Sequence, residues 1–150
     1  DLAPAWIRNE IELLNLETVC RAINMGIDAK PWMIPTRGVV NRLERTLSSM
    51  KTPRDAISYI LPQFPVPAPL KVALAAKDKD VVAVLEDAAL SYLYAQHKHR
   101  FYLVNRKESI LDFFAIKLAE LEDITRILFS KLKGIPPEEI REMLYPIYKR

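Results

Sequence analysis

The sequence has little cysteine and little glycine: Cys20 stands alone, and three glycines serve 150 residues. A lone cysteine excludes a disulfide scaffold and fits a reducing compartment. Three scattered glycines exclude a phosphate-cradling loop and a dinucleotide fingerprint, both of which need clustered Gly where backbone approaches ligand. Long apolar runs are also missing. The longest charge-free stretch, Ala56 to Leu70, is 15 residues and holds Pro62, Pro65, Pro67 and Pro69. A membrane-spanning helix needs about 20 apolar residues, so no segment is expected to cross a bilayer. No strong charge of one sign is present: 22 Lys and Arg face 19 Asp and Glu, a net +3. Nucleic-acid binding usually shows a basic patch or stripe, so that class is not expected. With Asp1, Arg8 and Glu10 among the first residues, no targeting segment with a basic and then apolar run is expected there.

Hydrophobic residues make up 50% of the chain, enough for a real core, and they recur at helical spacing. Ile7, Ile11 and Leu14 form one stripe, with Leu13, Leu16, Cys20 and Ile23 beside it, and Gly26 reads as the residue closing that helix. Pro31 and Pro35 allow only a short helix between residues 28 and 37. A second helix is expected from Val39 to Met50. Thr52 then reads as an N-cap with Pro53 at the first helical position of a helix ending near Ile60. Leu61 to Pro69 reads as an extended connector and Leu70 to Ala76 as a short helix. Asp78 or Asp80 caps a longer helix through about His99, with Val81, Leu85, Ala88, Tyr92 and Ala95 on one face. The last long helix is expected from Lys107 to Lys133, with Ile110, Phe114, Leu118, Leu121, Ile124, Leu128 and Leu132 as its stripe. Gly134 ends it, and Pro136-Pro137-Glu138-Glu139 opens a final short helix. No segment alternates with period two. The class is all-α.

Asn15 to Ile27 aligns with Asp123 to Ile135 at an offset of 108 positions (134 − 26), Gly26 falling on Gly134. Both are helix ends with an apolar stripe, a polar last turn, then Gly-Ile and a Pro-containing segment. The expected organisation is a single helical domain over 1–150, with repeat-like segments 1–38 and 107–150 flanking a lobe at 39–106. That is one repeat of long antiparallel helices ending in Gly plus part of the next.

These two helix ends carry a resemblance. The chain resembles the C-type stalk component of the archaeal-type (A/V-type) ATP synthase, equivalent to the d-type stalk component of the vacuolar ATPase. Glu12, Asn15, Leu16, Arg21 and Gly26 match the family's helix motif in the first copy. Glu120, Lys131 and Gly134 match it in the second, followed by Pro137, Glu138, Glu139, Ile140, Arg141, Glu142, Met143 and Leu144. The run GIPPEEIREML is the most specific part, and the lobe follows the family only through Met33-Ile34-Pro35 and the short helices after it. Glu17 and Thr125 stand where the family usually has Arg, and Phe129 replaces the motif's second Arg. The family's full pattern carries further repeats, so the chain is expected to be a fragment or an abbreviated member. The resemblance implies a non-catalytic rotor component, peripheral on the cytoplasmic face of the membrane. It would sit between the shaft subunits of the central stalk and the proteolipid ring. No cofactor, metal or nucleic acid is implied. The alternative is a stand-alone helical adaptor.

Chemistry-bearing clusters are few. In His97-Lys98-His99-Arg100 the two histidines lie two apart and point in different directions on a helix, so they read as a solvated basic helix end. With Arg106 and Lys107 this is the most basic short region of the chain. Lys98, Arg100, Arg106 and Lys107 are the expected docking patch for an acidic partner surface. Glu120, Glu122 and Asp123 read as exposed ion-pairing residues with Lys117 and Arg126. Ser91 and Ser109 lack a partnered His and Asp, and Cys20 reads as a buried, inert thiol. The aromatics from Tyr92 to Phe114 read as core, and Tyr145 and Tyr148 as exposed unless a further repeat covers them.

Overall fold

The computed structural model describes residues 5–77, 80–101 and 109–145, the side chains of 98–101, 109 and 111 excepted. Among them the backbone forms seven α-helices and two 3-10 turns, as the helical periodicity predicts. Cα packing divides the chain into two units, residues 1–89 and 90–150.

The first unit opens with α1 (Ala5–Met25), which packs against α2 (Val39–Ser48) and α3 (Pro53–Ile60). Its core contains Leu13, Leu16, Cys20, Val40, Leu47, Ile57, Ile60, Leu70 and Leu85, all fully buried. The starts of α3, α4 and α5 have local causes. Thr52 accepts the Asp55 N–H at 3.2 Å, and Pro53 follows it where no amide hydrogen is needed. The sequence predicts an extended connector from Leu61 to Pro69; the chain instead makes a 3-10 turn at Leu61–Gln63 and enters α4 at Pro67. Pro67 and Pro69 both fall in the first turn of α4 (Pro67–Ala75), where helical N–H groups have no partner to lose. The other end of α4 is closed by Arg54, whose guanidinium donates to the Leu74 and Ala76 carbonyls at 2.7 Å each. Asp80 caps α5 (Val81–Phe101) by accepting the Val82 N–H at 2.9 Å. The buried positions of α5 in this unit are Val82, Leu85 and Ala89. The inward face is therefore turned by about one residue from the expected Val81–Leu85–Ala88 line.

The second unit contains the remainder of α5, α6 (Ser109–Leu132) and α7 (Pro137–Met143). Its core is Tyr94, Ala119 and Tyr145, with Leu90 and Ile116 packed against it. Tyr94 and Tyr145 meet edge to face, 4.7 Å between centroids. Tyr145, expected exposed, is 1% exposed.

Gly26 (φ +65°) and Gly134 (φ +71°) end α1 and α6 in the left-handed region. Both ends carry the same paired bonds. Ile27 N–H reaches Ala22 O and Gly26 N–H reaches Ile23 O, while Ile135 N–H reaches Ser130 O and Gly134 N–H reaches Lys131 O. Each is a Schellman closure, which satisfies carbonyls the helix leaves open.

Candidate docking surfaces

Glu12 and Asn15, the first acidic and amide residues of the α1 motif, are buried at 5% and 1% exposure. One α-helical turn puts them on the same side of α1, and both hold backbone that follows. Asn15 Nδ2 donates to Ile34 O at 2.9 Å and Asn15 Oδ1 accepts the Ile34 N–H at 2.8 Å. The same amide donates to Asn41 Oδ1 at 2.7 Å, which also accepts from Thr36 Oγ1 at 2.8 Å. Glu12 Oε2 accepts the Val40 N–H at 3.0 Å, so a carboxylate borrowed from α1 caps the positive end of α2. Glycine at 38 leaves room for this contact: a Cβ there would fall on the Glu12 carboxylate, which would have to move. The motif is thus a clasp that fixes α1, the 33–38 segment and α2 against one another.

Beside this clasp lies an open groove of about 1080 Å³. Arg8 of α1, Arg37 before α2 and Arg42 within α2 line it, together with Asn9, Glu12 and Thr36. All three arginines are exposed. The sequence alone does not group them, because Arg8 is distant in the chain from the other two and no single window holds all three. The only available cue was Arg37 standing beside the start of α2.

The second unit has a related clasp. Asp123, at the position aligned with Asn15, is 2% exposed, and its Oδ1 accepts the Tyr145 N–H at 3.1 Å. Arg126 donates to Met143 O at 2.7 Å and to the Tyr145 hydroxyl at 2.6 Å, its guanidinium 4.0 Å from the Tyr145 ring centre. Asp123 was expected on an exposed face; instead it ties the segment after α7 to α6, which also explains why Tyr145 is buried. Burial, followed by Glu122, pushes the Tyr94 hydroxyl up to about 12. Lys117 pairs with Glu120 at 2.6 Å on the exposed surface, as the i, i+3 spacing predicts.

The apolar stripe of α6 faces outward. Ile110, Phe113, Phe114, Leu118, Leu121, Ile124, Leu128, Phe129 and Leu132 are 43–82% exposed. The inward line is Asp112, Ala119, Asp123 and Ser130. With three Phe rings of roughly 150–250 Å² each and six Leu or Ile side chains beside them, all about half exposed or more, the face amounts to on the order of 1,000 Å². The largest apolar patch on a typical monomer is about 300–600 Å². In α1, the aligned residues Leu13, Leu16 and Cys20 are fully buried.

The chemically suggestive residues are placed as follows. His97 was expected on a solvated helix end; it is 4% exposed, with Nδ1 2.7 Å from Asp112 Oδ1, itself 1% exposed. The pair joins α5 to the first turn of α6. Cys20 is fully buried; burial, with Glu17 as a second cause, pushes its thiol up to about 12. Glu17 is raised to about 7, first by burial and then by Glu86, while Arg21 opposes the shift. Arg21 and Glu86 pair at 2.6 Å. The side chains of Lys98 and Arg100, and Arg106 and Lys107 altogether, lie outside the described residues, as do the His99 side chain and Tyr148. Among the described residues no group of three or more His, Cys, Asp or Glu is placed to hold a metal ion. No described helix is long and apolar enough to cross a membrane.

Comparison with curated proteins and with solved structures yields no match. A family model does match: that of the ATP synthase (C/AC39) subunit aligns with residues 3–143. The match takes in every helix from α1 to the end of α7, and the chain therefore belongs to the ATP synthase (C/AC39) subunit family.

Proposed function

We propose that the chain is a non-catalytic central-stalk subunit of an A/V-type ATPase, coupling the rotor shaft to the membrane proteolipid ring. It would work at the cytoplasmic face, held to the membrane by other subunits. The observation that carries this reading is the outward apolar face of α6. A patch of that size is a seat for another protein rather than a solvated surface. Its occupant is a helical element of a neighbouring subunit, since the aligned face of α1 is covered by helices, α2 and α3. The buried clasps at Glu12–Asn15 and Asp123–Tyr145 supply what a torque-passing part needs, helices pinned by hydrogen bonds that shear poorly. The basic residues Lys98, Arg100, Arg106 and Lys107 are proposed as a second, electrostatic contact.

The test is Leu121→Asp with Leu128→Asp. Both side chains are more than half exposed, so the double variant should keep its helical content and lose co-purification with the ATPase. Undiminished co-purification would reject α6 as the seat.

A further inference from the structure

The groove beside the α2 start has a property the coupling role does not use: three arginines open onto it, and none of the ion pairs found among the described residues satisfies them. Arg8, Arg37 and Arg42 come from α1, from the residue before Gly38 and from the first turns of α2. They converge because the Glu12 and Asn15 clasp holds α1 against the 34–40 backbone. Among the described residues the one carboxylate lining the groove, Glu12, is 5% exposed and committed to the Val40 N–H. The groove thus presents more cation than its own walls neutralise. Guanidinium groups are planar forks matched to carboxylate oxygens, and more weakly hydrated than ammonium, so they favour such partners at interfaces.

We propose that this groove binds an acidic segment of a protein partner through Arg8, Arg37 and Arg42. The inference deepens the coupling role, and rests on it for the partner being another ATPase component. A small phosphoryl ligand fits the site less well. Phosphate sites use free backbone N–H groups at a helix start, whereas here Gly38 N–H is bonded to Thr36 Oγ1 at 3.1 Å and Val40 N–H to Glu12. The groove is also open, and at about 1080 Å³ it is large enough for several residues of a chain. Asn9 and Thr36 on its walls offer polar groups to such a segment's backbone, and Ile11, Val39 and Pro65 offer apolar contact.

The experiment uses the full 150-residue chain and, as probe, a fluorescein-labelled Glu-Ala copolymer peptide followed by anisotropy. Binding is expected at low salt and should fade toward about 0.5 M salt, where charges screen within a few ångströms. The variant R8E/R37E/R42E should weaken it by about tenfold or more, the combined worth of three exposed pairs. R8Q/R37Q/R42Q should weaken it in the same direction without adding charge next to Glu12. Lys71→Glu with Lys77→Glu, exposed on the same unit, should do much less. Circular dichroism on each variant confirms the fold. No peptide binding, or equal loss in the lysine control, overturns the proposal. So does saturation of the groove by inorganic phosphate that excludes the peptide, which would make it a small-anion site. Because the assay needs no other subunit, its failure would leave the coupling role standing, and failure of co-purification would leave the groove chemistry standing.

Discussion

Replacing Gly38 with Ala should be costly although the backbone there is unstrained, with φ −68°. The added Cβ falls on the Glu12 carboxylate, so Glu12 has to leave. Val40 N–H, on a fully buried residue, then loses its charged acceptor. A hydrogen bond to a charged group is worth about 1.5–3 kcal/mol, and the helix N-terminus loses the same anion rather than a second one. Ala restricts the unfolded chain relative to Gly and returns about 0.4–1 kcal/mol. The net expected cost is about 1.5 kcal/mol, read by urea unfolding followed by far-UV circular dichroism. The discriminating step is the double-mutant cycle with Glu12→Ala. Once the carboxylate is gone the Cβ has space, so Gly38→Ala in that background should be neutral or slightly stabilising, a coupling of about 2 kcal/mol. Equal costs in both backgrounds would refute the clasp as the reason for glycine at this position.

Three further outcomes are expected. Glu17, raised from 4.5 to about 7 by burial and Glu86, binds its proton more tightly folded than unfolded. Its ionisation penalty is therefore absent below pH 4.5, grows as pH rises and is complete above pH 7. Glu17→Gln should accordingly gain up to roughly 3 kcal/mol on wild type across that window in pH-resolved denaturation, and a pH-independent difference would contradict it. Gly26→Ala and Gly134→Ala should each cost about 1–2 kcal/mol, wholly from the left-handed backbone since a Cβ has open space at both, and Asn should recover part. Reversing Lys98, Arg100, Arg106 and Lys107 to Glu should weaken salt-sensitive assembly without lowering the melting temperature; unchanged assembly would move the electrostatic contact elsewhere.

Local rules made much of the fold legible. Thr52-Pro53, Asp80, Gly26 and Gly134 mark helix ends because their chemistry acts within one turn, and each does so here. What periodicity could not settle was which stripe of a two-striped helix turns inward. In α6 the apolar line is outward, and the inner line of Asp112, Ala119, Asp123 and Ser130 is held by hydrogen bonds to His97 and Tyr145. Those partners lie 15 and 22 positions away, and no window spacing encodes them. The Leu61–Pro69 stretch is not the extended connector its prolines suggest, because prolines that end one helix also start the next. The motif residues Glu12 and Asn15 were legible as family markers, yet their physical work depends on Gly38, Val40 and Ile34 arriving from a separate segment. The arginine groove needed the same convergence.

The coupling role itself is tested most directly by reconstitution from separate parts. Purified shaft subunits and detergent-solubilised proteolipid ring would be mixed with and without the chain, and the products sized and identified. The account predicts a complex holding shaft, chain and ring together, formed only when the chain is present and lost with Leu121→Asp/Leu128→Asp. Shaft and ring associating equally well without the chain, or the chain joining neither, would contradict it.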